Sequence, residues 1–174
     1  MRFDRRMSRP LYAIGALVCA GLLSFGYYLQ YGQGLEPCPL CLVQRFFFYG
    51  VLGVLLIGAL HGPRGGWNAV YGTGAFVFAA AGAAAASRQV WLQHLPADKV
   101  PQCGPDLYFM LDNFPLSRTL QTLVKGTGEC AVVDWTFLGL SIAEWSLVWF
   151  VLLAAYAAWL AVRGTRARAA VAPA

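Results

Sequence analysis

The chain has 174 residues, of which 59% are hydrophobic and 12% charged, with a formal net charge of +5. That is too apolar for a soluble domain of this length and suits a small integral membrane protein. The positive balance does not point to nucleic acid, because Lys and Arg are not clustered with aromatics on a polar face; membrane topology explains their placement better.

Arg2, Arg5, Arg6 and Arg9 precede Pro10 and an apolar run over about 11–29. A signal peptide also has a basic start and an apolar run. This run is nearer twenty residues than the roughly seven to fifteen of a signal core, and no convincing small-x-small cleavage site follows it, so it reads as an uncleaved first span. Cys19 lies mid-span, where a buried cysteine acts as a small hydrophobe.

A short polar loop, 30–38, leads to Cys38-Pro39-Leu40-Cys41-Leu42-Val43-Gln44-Arg45, at the water-side end of a second apolar run over about 39–60. Proline suits a helix's first turn, which makes Cys38 the expected N-cap and puts Cys41 at the third helical position. Both sulfurs then sit at the positive end of a helix dipole, and Arg45 lies one turn beyond Cys41 on the same face. Helix N-terminus, Cys-x-x-Cys spacing and a neighbouring cation each favour a thiolate at Cys41. An arginine at the mouth of a membrane helix is costly without a partner, so Arg45 is a functional candidate.

His61-Gly62-Pro63-Arg64-Gly65-Gly66 forms a tight turn, in which His61 reads as an interfacial residue. The third span, about 67–87, starts at Trp67 and carries small residues at intervals of four, which suits close packing at the centre of a bundle. The stretch 88–141 is the long polar excursion of the chain and contains Cys103 and Cys130. Pro96, Pro101, Gly104 and Pro105 argue against regular structure around Cys103. Pro115 opens a pattern with Leu116, Leu120, Leu123 and Val124 on one face, as in a short helix lying on the membrane surface. Trp135, Phe137, Leu138 and Leu140 read as a further interfacial anchor. Ser141-Ile142-Ala143-Glu144 has capping-box spacing before a fourth span over about 142–162, which ends at Arg163, Arg166 and Arg168. The expected fold is therefore all-α and membrane-integral: a four-transmembrane-helix bundle with one long loop carrying a short interfacial helix.

Eight of the thirteen basic residues lie in the N-terminal segment, the 61–66 turn or the C-terminal tail, which four spans bring to one side. By the positive-inside bias that side is cytoplasmic. The other side holds seven of the eight acidic residues and Cys38, Cys41, Cys103 and Cys130. In a bacterium that compartment is oxidising, so two cysteine pairs face the place where disulfides form. Two structural staples or a zinc site are the alternatives. A bridge closing only the Cys38–Cys41 loop removes little chain entropy, and intervening lengths of two, sixty-one and twenty-six residues lack the second close pair of a four-thiolate zinc site. A two-pair relay can pass electrons stepwise by disulfide exchange, and a lipid-soluble acceptor suits a membrane-embedded Cys41. Gln44 and Arg88 are candidate pocket residues; His94 is a possible proton donor or an incidental surface histidine.

The Cys-x-x-Cys-x-x-x-Arg at the start of the second span, the two cysteines of the second outer loop, and Trp135-Thr136-Phe137-Leu138-Gly139-Leu140-Ser141 before the fourth span together resemble the DsbB family of quinone-linked disulfide-forming membrane proteins, over about residues 10–163. The resemblance implies oxidation of a thioredoxin-like periplasmic dithiol protein of the DsbA kind, with electrons delivered to a membrane quinone, ubiquinone or menaquinone, and no metal. Carried over by position, Cys103 would form the mixed disulfide with the partner, Cys130 would be its loop mate, Cys38 would exchange with the loop pair, and Cys41 with Arg45 would face the quinone. Cys19 is outside the pattern, Pro39 fills a variable slot, and Gln89 stands where some relatives have a histidine at the far wall of the quinone pocket. Two other readings differ in kind. An enzyme resembling vitamin K epoxide reductase would have its Cys-x-x-Cys late in the chain, and a non-catalytic membrane scaffold would use disulfides only to brace the outer loop.

Overall fold

A computed structural model describes residues 5–64, 66–101, 115, 117 and 126–169. Cys103 and nearly all of the expected surface helix at 115–124 lie outside the described residues.

Among the described residues four helices are long and apolar enough to cross a membrane. They are α1 (Arg5–Gly32), α2 (Pro39–His61), α3 (Gly66–Gln93) and α4 (Ile142–Ala169). Their apolar stretches run from 23 to 28 residues, against the roughly 20 that a bilayer requires. Leu17, Ile57, Val77 and Leu152 point outward and are exposed, as side chains facing lipid should be.

The helices pack in the order α1, α2, α3, α4, with the most extensive contact between α3 and α4. Lipid is as apolar as leucine, so this association depends on close van der Waals approach. The small residues of α3 provide it: Ala75, Ala79, Gly82 and Ala86 form one buried stripe, and the Phe150 ring of α4 seats on Gly82. At the other end of this contact Gly72 meets the backbone of Ala161, and Gly164 meets that of Ala69; neither site has room for a Cβ. Phe48 of α2 stacks on Phe150 with ring centroids 4.0 Å apart, which ties three helices together. The Tyr156 hydroxyl of α4 donates to Leu11 O of α1 at 2.8 Å and brings the first and last helices into contact. Cys19 is buried in this core, as its mid-span position led us to expect.

Three features differ from the expected outline. First, α3 does not stop near residue 87 but continues to Gln93, because Gln89 and Leu92 keep the buried face going; Arg88 and Gln89 are therefore helical. Second, a two-stranded hairpin, β1 (Thr136–Phe137) and β2 (Leu140–Ser141), precedes α4. Its turn residues Leu138 and Gly139 both have positive φ, 53° and 82°, which is the geometry of a two-residue hairpin turn and uncommon for leucine. Trp145 Nε1 donates to Phe137 O at 3.0 Å, and the Trp135 ring meets Phe25 of α1 edge-on, so the aromatic segment is fastened to the bundle. Third, a short 3-10 turn, Gly128–Ala131, packs against α2 and α3.

The capping box has the expected geometry. Ser141 N donates to Glu144 Oε2 at 2.7 Å, Glu144 N donates to Ser141 Oγ at 3.3 Å, and the Ser141 hydroxyl donates to Gln93 Oε1 at 2.8 Å. The start of α4 is thereby tied to the end of α3 beside the cysteine-bearing end of the bundle.

Candidate redox site

The site is built on the N-terminus of α2. Cys38 is its N-cap with extended backbone, φ −64° and ψ 163°, and Pro39 opens the helix. The chain enters the helix this way because proline has no N–H to leave unpaired and its fixed φ is already helical. Cys38 Sγ accepts from Cys41 N at 3.4 Å, doing for one orphan amide what a serine oxygen does at an ordinary cap. The Cys38 thiol donates to Cys41 Sγ at 2.9 Å.

Cys130 reaches the same place from the second loop. It is fully buried in the 3-10 turn, packed with Leu40 of α2 and Leu92 of α3 and flanked by Cys38. Gly126 makes this approach possible: its φ is +76°, and a Cβ there would come within 2.6 Å of Leu92 Cδ1 and 2.8 Å of Leu40 Cδ1. Cys130 packs beside Cys38, so the Cys38 thiol that donates to Cys41 is also close enough to Cys130 for the two to influence each other's ionisation.

The electrostatics follow from that proximity. Hydrogen bonds to Cys130 and then to Cys41, together with burial, hold the Cys38 thiol well above the ordinary thiol range. Cys130 moves the other way, down to about 6. The bond from Cys38 dominates, and it outweighs burial with help from backbone bonds at Leu40 and Thr127 and the Thr127 side chain. The contact thus pushes Cys38 toward the thiol and Cys130 toward the thiolate.

Two glutamines complete the cluster. Gln44 of α2 and Gln89 of α3 are both 3% exposed. Gln44 Nε2 donates to Gln89 Oε1 at 2.6 Å, and Gln89 Nε2 lies 3.3 Å from Cys38 Sγ and 3.3 Å from Cys41 Sγ. Arg45 points elsewhere. Its guanidinium donates to Gly26 O at 3.0 Å and to Gln30 Oε1, both on α1, and sits 4.8 Å from the centre of the Tyr27 ring. Arg88 lies over the Trp91 ring at 4.2 Å, and His94 Nδ1 is 2.9 Å from Val90 O. The structure thus joins Cys38, Cys41, Cys130, Gln44 and Gln89, with Arg45 on the adjoining flank. Cys103 lies outside the described residues.

The sequence model described as "Disulfide bond formation protein DsbB" matches residues 8–160. The chain belongs to the DsbB family. Curated relatives named Disulfide bond formation protein B include one from Marinobacter nauticus, 55% identical over 84% of this chain and 87% of its own length. One from Hahella chejuensis is 50% identical over 91% and 96%, and one from Azoarcus is 48% identical over 89% and 93%. The stretch matched by the family model takes in every member of the cysteine cluster. As a DsbB-family protein with four spanning helices, the chain is a multi-pass membrane protein, with Cys38, Cys41 and Cys130 at one end of the bundle.

The sequence signal for Cys38, Cys41 and Arg45 was direct, because motif and helix start coincide. The contact between Gln44 and Gln89 had no such signal: they are 45 positions apart and meet only because α2 and α3 pack in one register.

Proposed function

We propose that this chain is a thiol:quinone oxidoreductase of the bacterial inner membrane, reoxidising a DsbA-like periplasmic dithiol protein through two cysteine pairs. The observation that carries the reading is the burial of Cys130 against Cys38, whose other side faces Cys41 at 2.9 Å. Staples would need two separate pairs; three sulfurs in succession suit exchange.

Each step balances. A partner thiolate attacks the Cys103–Cys130 disulfide at Cys103, forming a mixed disulfide and releasing Cys130 as thiolate. The partner's second thiol displaces Cys103, so the partner leaves oxidised and the loop pair holds two electrons. Cys130 attacks Cys38 of the Cys38–Cys41 disulfide, and Cys41 leaves as thiolate. Cys103 then attacks Cys130, which restores the loop disulfide and returns Cys38 to the thiol. Bonds at Leu40 and Thr127, which need no proton on Cys38, favour Cys130 as the thiolate, and the Gln89 amide favours departure of Cys41 as an anion.

A quinone, ubiquinone or menaquinone, would take two electrons and two protons from the Cys38/Cys41 dithiol. The flank beside Cys41 fits such a group. Arg45 has five N–H donors, and exposed Phe46 and Tyr49, with Tyr27 joined to Tyr49 by a 2.8 Å hydroxyl bond, make an aromatic surface open to lipid. Arg45 and Cys41 are the residues we assign to it, bordered by Gln44, Gln89 and Arg88. The cysteine end is periplasmic and both termini cytoplasmic, as supported by the gathering of Arg9, Arg64 and Arg163 at the other end.

The test is turnover: purified protein, a reduced thioredoxin-like dithiol protein and a soluble quinone, with loss of partner thiols measured against quinol formed. Many equivalents oxidised per chain support the reading, and none would refute it.

A further inference from the structure

We propose that Gln44 and Gln89 form an amide clamp that makes the Cys38–Cys41 disulfide more oxidising, with Gln89 as the positioning residue for both sulfurs. The inference rests on Cys38 and Cys41 being the working pair. An amide can present either its oxygen or its nitrogen to a sulfur, and the two ends have opposite effects on a thiolate. Here the choice is made by Gln44, whose Nε2 donates to Gln89 Oε1 at 2.6 Å. With its oxygen engaged, Gln89 turns its NH2 group to the sulfurs, 3.3 Å from each. An NH2 has two hydrogens, one for each cysteine. Gln89 Oε1 is still 3.6 Å from Cys41 Sγ, close enough to accept from that thiol when it carries a proton.

The clamp distinguishes the two redox states. A disulfide sulfur is a weak acceptor, whereas a thiolate accepts a charge-assisted bond, and burial strengthens the difference. A neutral donor fixed between the sulfurs therefore stabilises the reduced pair over the oxidised pair, and stabilising a reduced form is what makes a disulfide a strong oxidant. Because Gln44 and Gln89 are both buried at 3%, water cannot replace the donor when either side chain is shortened to an apolar one.

The experiment uses the full-length protein carrying Cys103→Ser and Cys130→Ser, so that the Cys38/Cys41 pair alone reports. It is equilibrated with glutathione mixtures: the disulfide and two glutathione molecules give the dithiol and one glutathione disulfide. Gln89→Met should shift this equilibrium toward the disulfide by about tenfold, which is about 30 mV for a two-electron couple. Gln44→Met, which leaves Gln89 in place but frees it to rotate, should shift it the same way by less. The double variant should match Gln89→Met alone, because Gln44 acts only through Gln89. Gln89→Glu, with a carboxylate against the thiolate, should shift it further still.

An unchanged equilibrium in folded Gln89→Met and Gln89→Glu variants would overturn the clamp. So would additive effects of the two Met substitutions. If quinone turnover fell while the glutathione equilibrium stayed at the wild-type value, the pair would belong to the quinone pocket, and the clamp would be wrong while the proposed function stood. If the equilibrium shifted as expected in a protein that never turned over with partner and quinone, the clamp would stand and the proposed function would fall.

Discussion

Cys130, in a 3-10 turn of the second loop, packs against Cys38 at the head of α2. The contact brings the two loops of the cysteine-bearing end to a common point and pushes the two thiols in opposite directions, Cys38 up and Cys130 down.

The opposition is measurable. With its pKa near 6, Cys130 is mostly thiolate at neutral pH and loses that form as pH falls through about 6, roughly tenfold for each further unit. The ultraviolet thiolate band of the reduced protein, followed against pH in a variant with Cys41→Ser and Cys103→Ser, should show this transition. Cys38→Ala in the same background removes the largest cause of the depression, and the transition should move upward.

Gly126→Ala should uncouple the loops. At φ +76° an added Cβ is strained as well as crowded by Leu92 and Leu40, and relief requires the turn to lift off α2. The expected cost is about 1–3 kcal/mol, falling on the docked turn and leaving the four helices in place. Reduced Cys103/Cys130 should then pass electrons to the Cys38–Cys41 disulfide at least several-fold more slowly. Quench-flow alkylation followed by mass measurement reports that step directly.

Arg45 has two jobs in this account, and they separate. Arg45→Met removes the bonds to Gly26 O and Gln30 that tie α2 to α1, and it removes the donor that the proposed function assigns to the quinone. Loss of a charge-assisted hydrogen bond of about 1.5–3 kcal/mol corresponds to about ten- to a hundredfold in quinone use. Arg45→Lys should recover only part, since an ammonium lacks the planar fork that spans two acceptors. Steady-state assays across quinone concentrations, alongside thermal unfolding, tell the roles apart: a tether alone would lower the unfolding temperature and leave the Michaelis constant for quinone unchanged.

Local chemistry was readable from the sequence, and distant register was not. Cys38 before Pro39 announces an N-cap, and Ser141 three positions before Glu144 announces a capping box; both have the expected hydrogen bonds. The four spans followed from run length, and the small residues of α3 foretold its close contact with α4. The extension of α3 to Gln93 was hidden because Arg88 and Gln89 look like the start of a polar loop, although only Arg88 is partly exposed. The hairpin was hidden because Leu138 occupies a positive-φ position usually taken by Asn or Gly. The partners of Arg45 were hidden because Gly26 and Gln30 lie on another helix, fifteen or more positions away. The position of Cys130 depends on one glycine and two leucines that no periodicity connects.

The central claim, that electrons enter at the loop pair and leave from the α2 pair, is tested most directly by mixing reduced partner and quinone with the wild-type chain and with its Cys103→Ser and Cys130→Ser variants, followed by non-reducing electrophoresis. The account predicts catalytic turnover by the wild type and no partner oxidation by Cys103→Ser. It also predicts a covalent partner complex through Cys103 when Cys130→Ser is given the partner in its disulfide form, because the Cys103 thiolate opens that disulfide and no Cys130 thiol remains to resolve the mixed one. Partner oxidation by Cys103→Ser at the wild-type rate would contradict it.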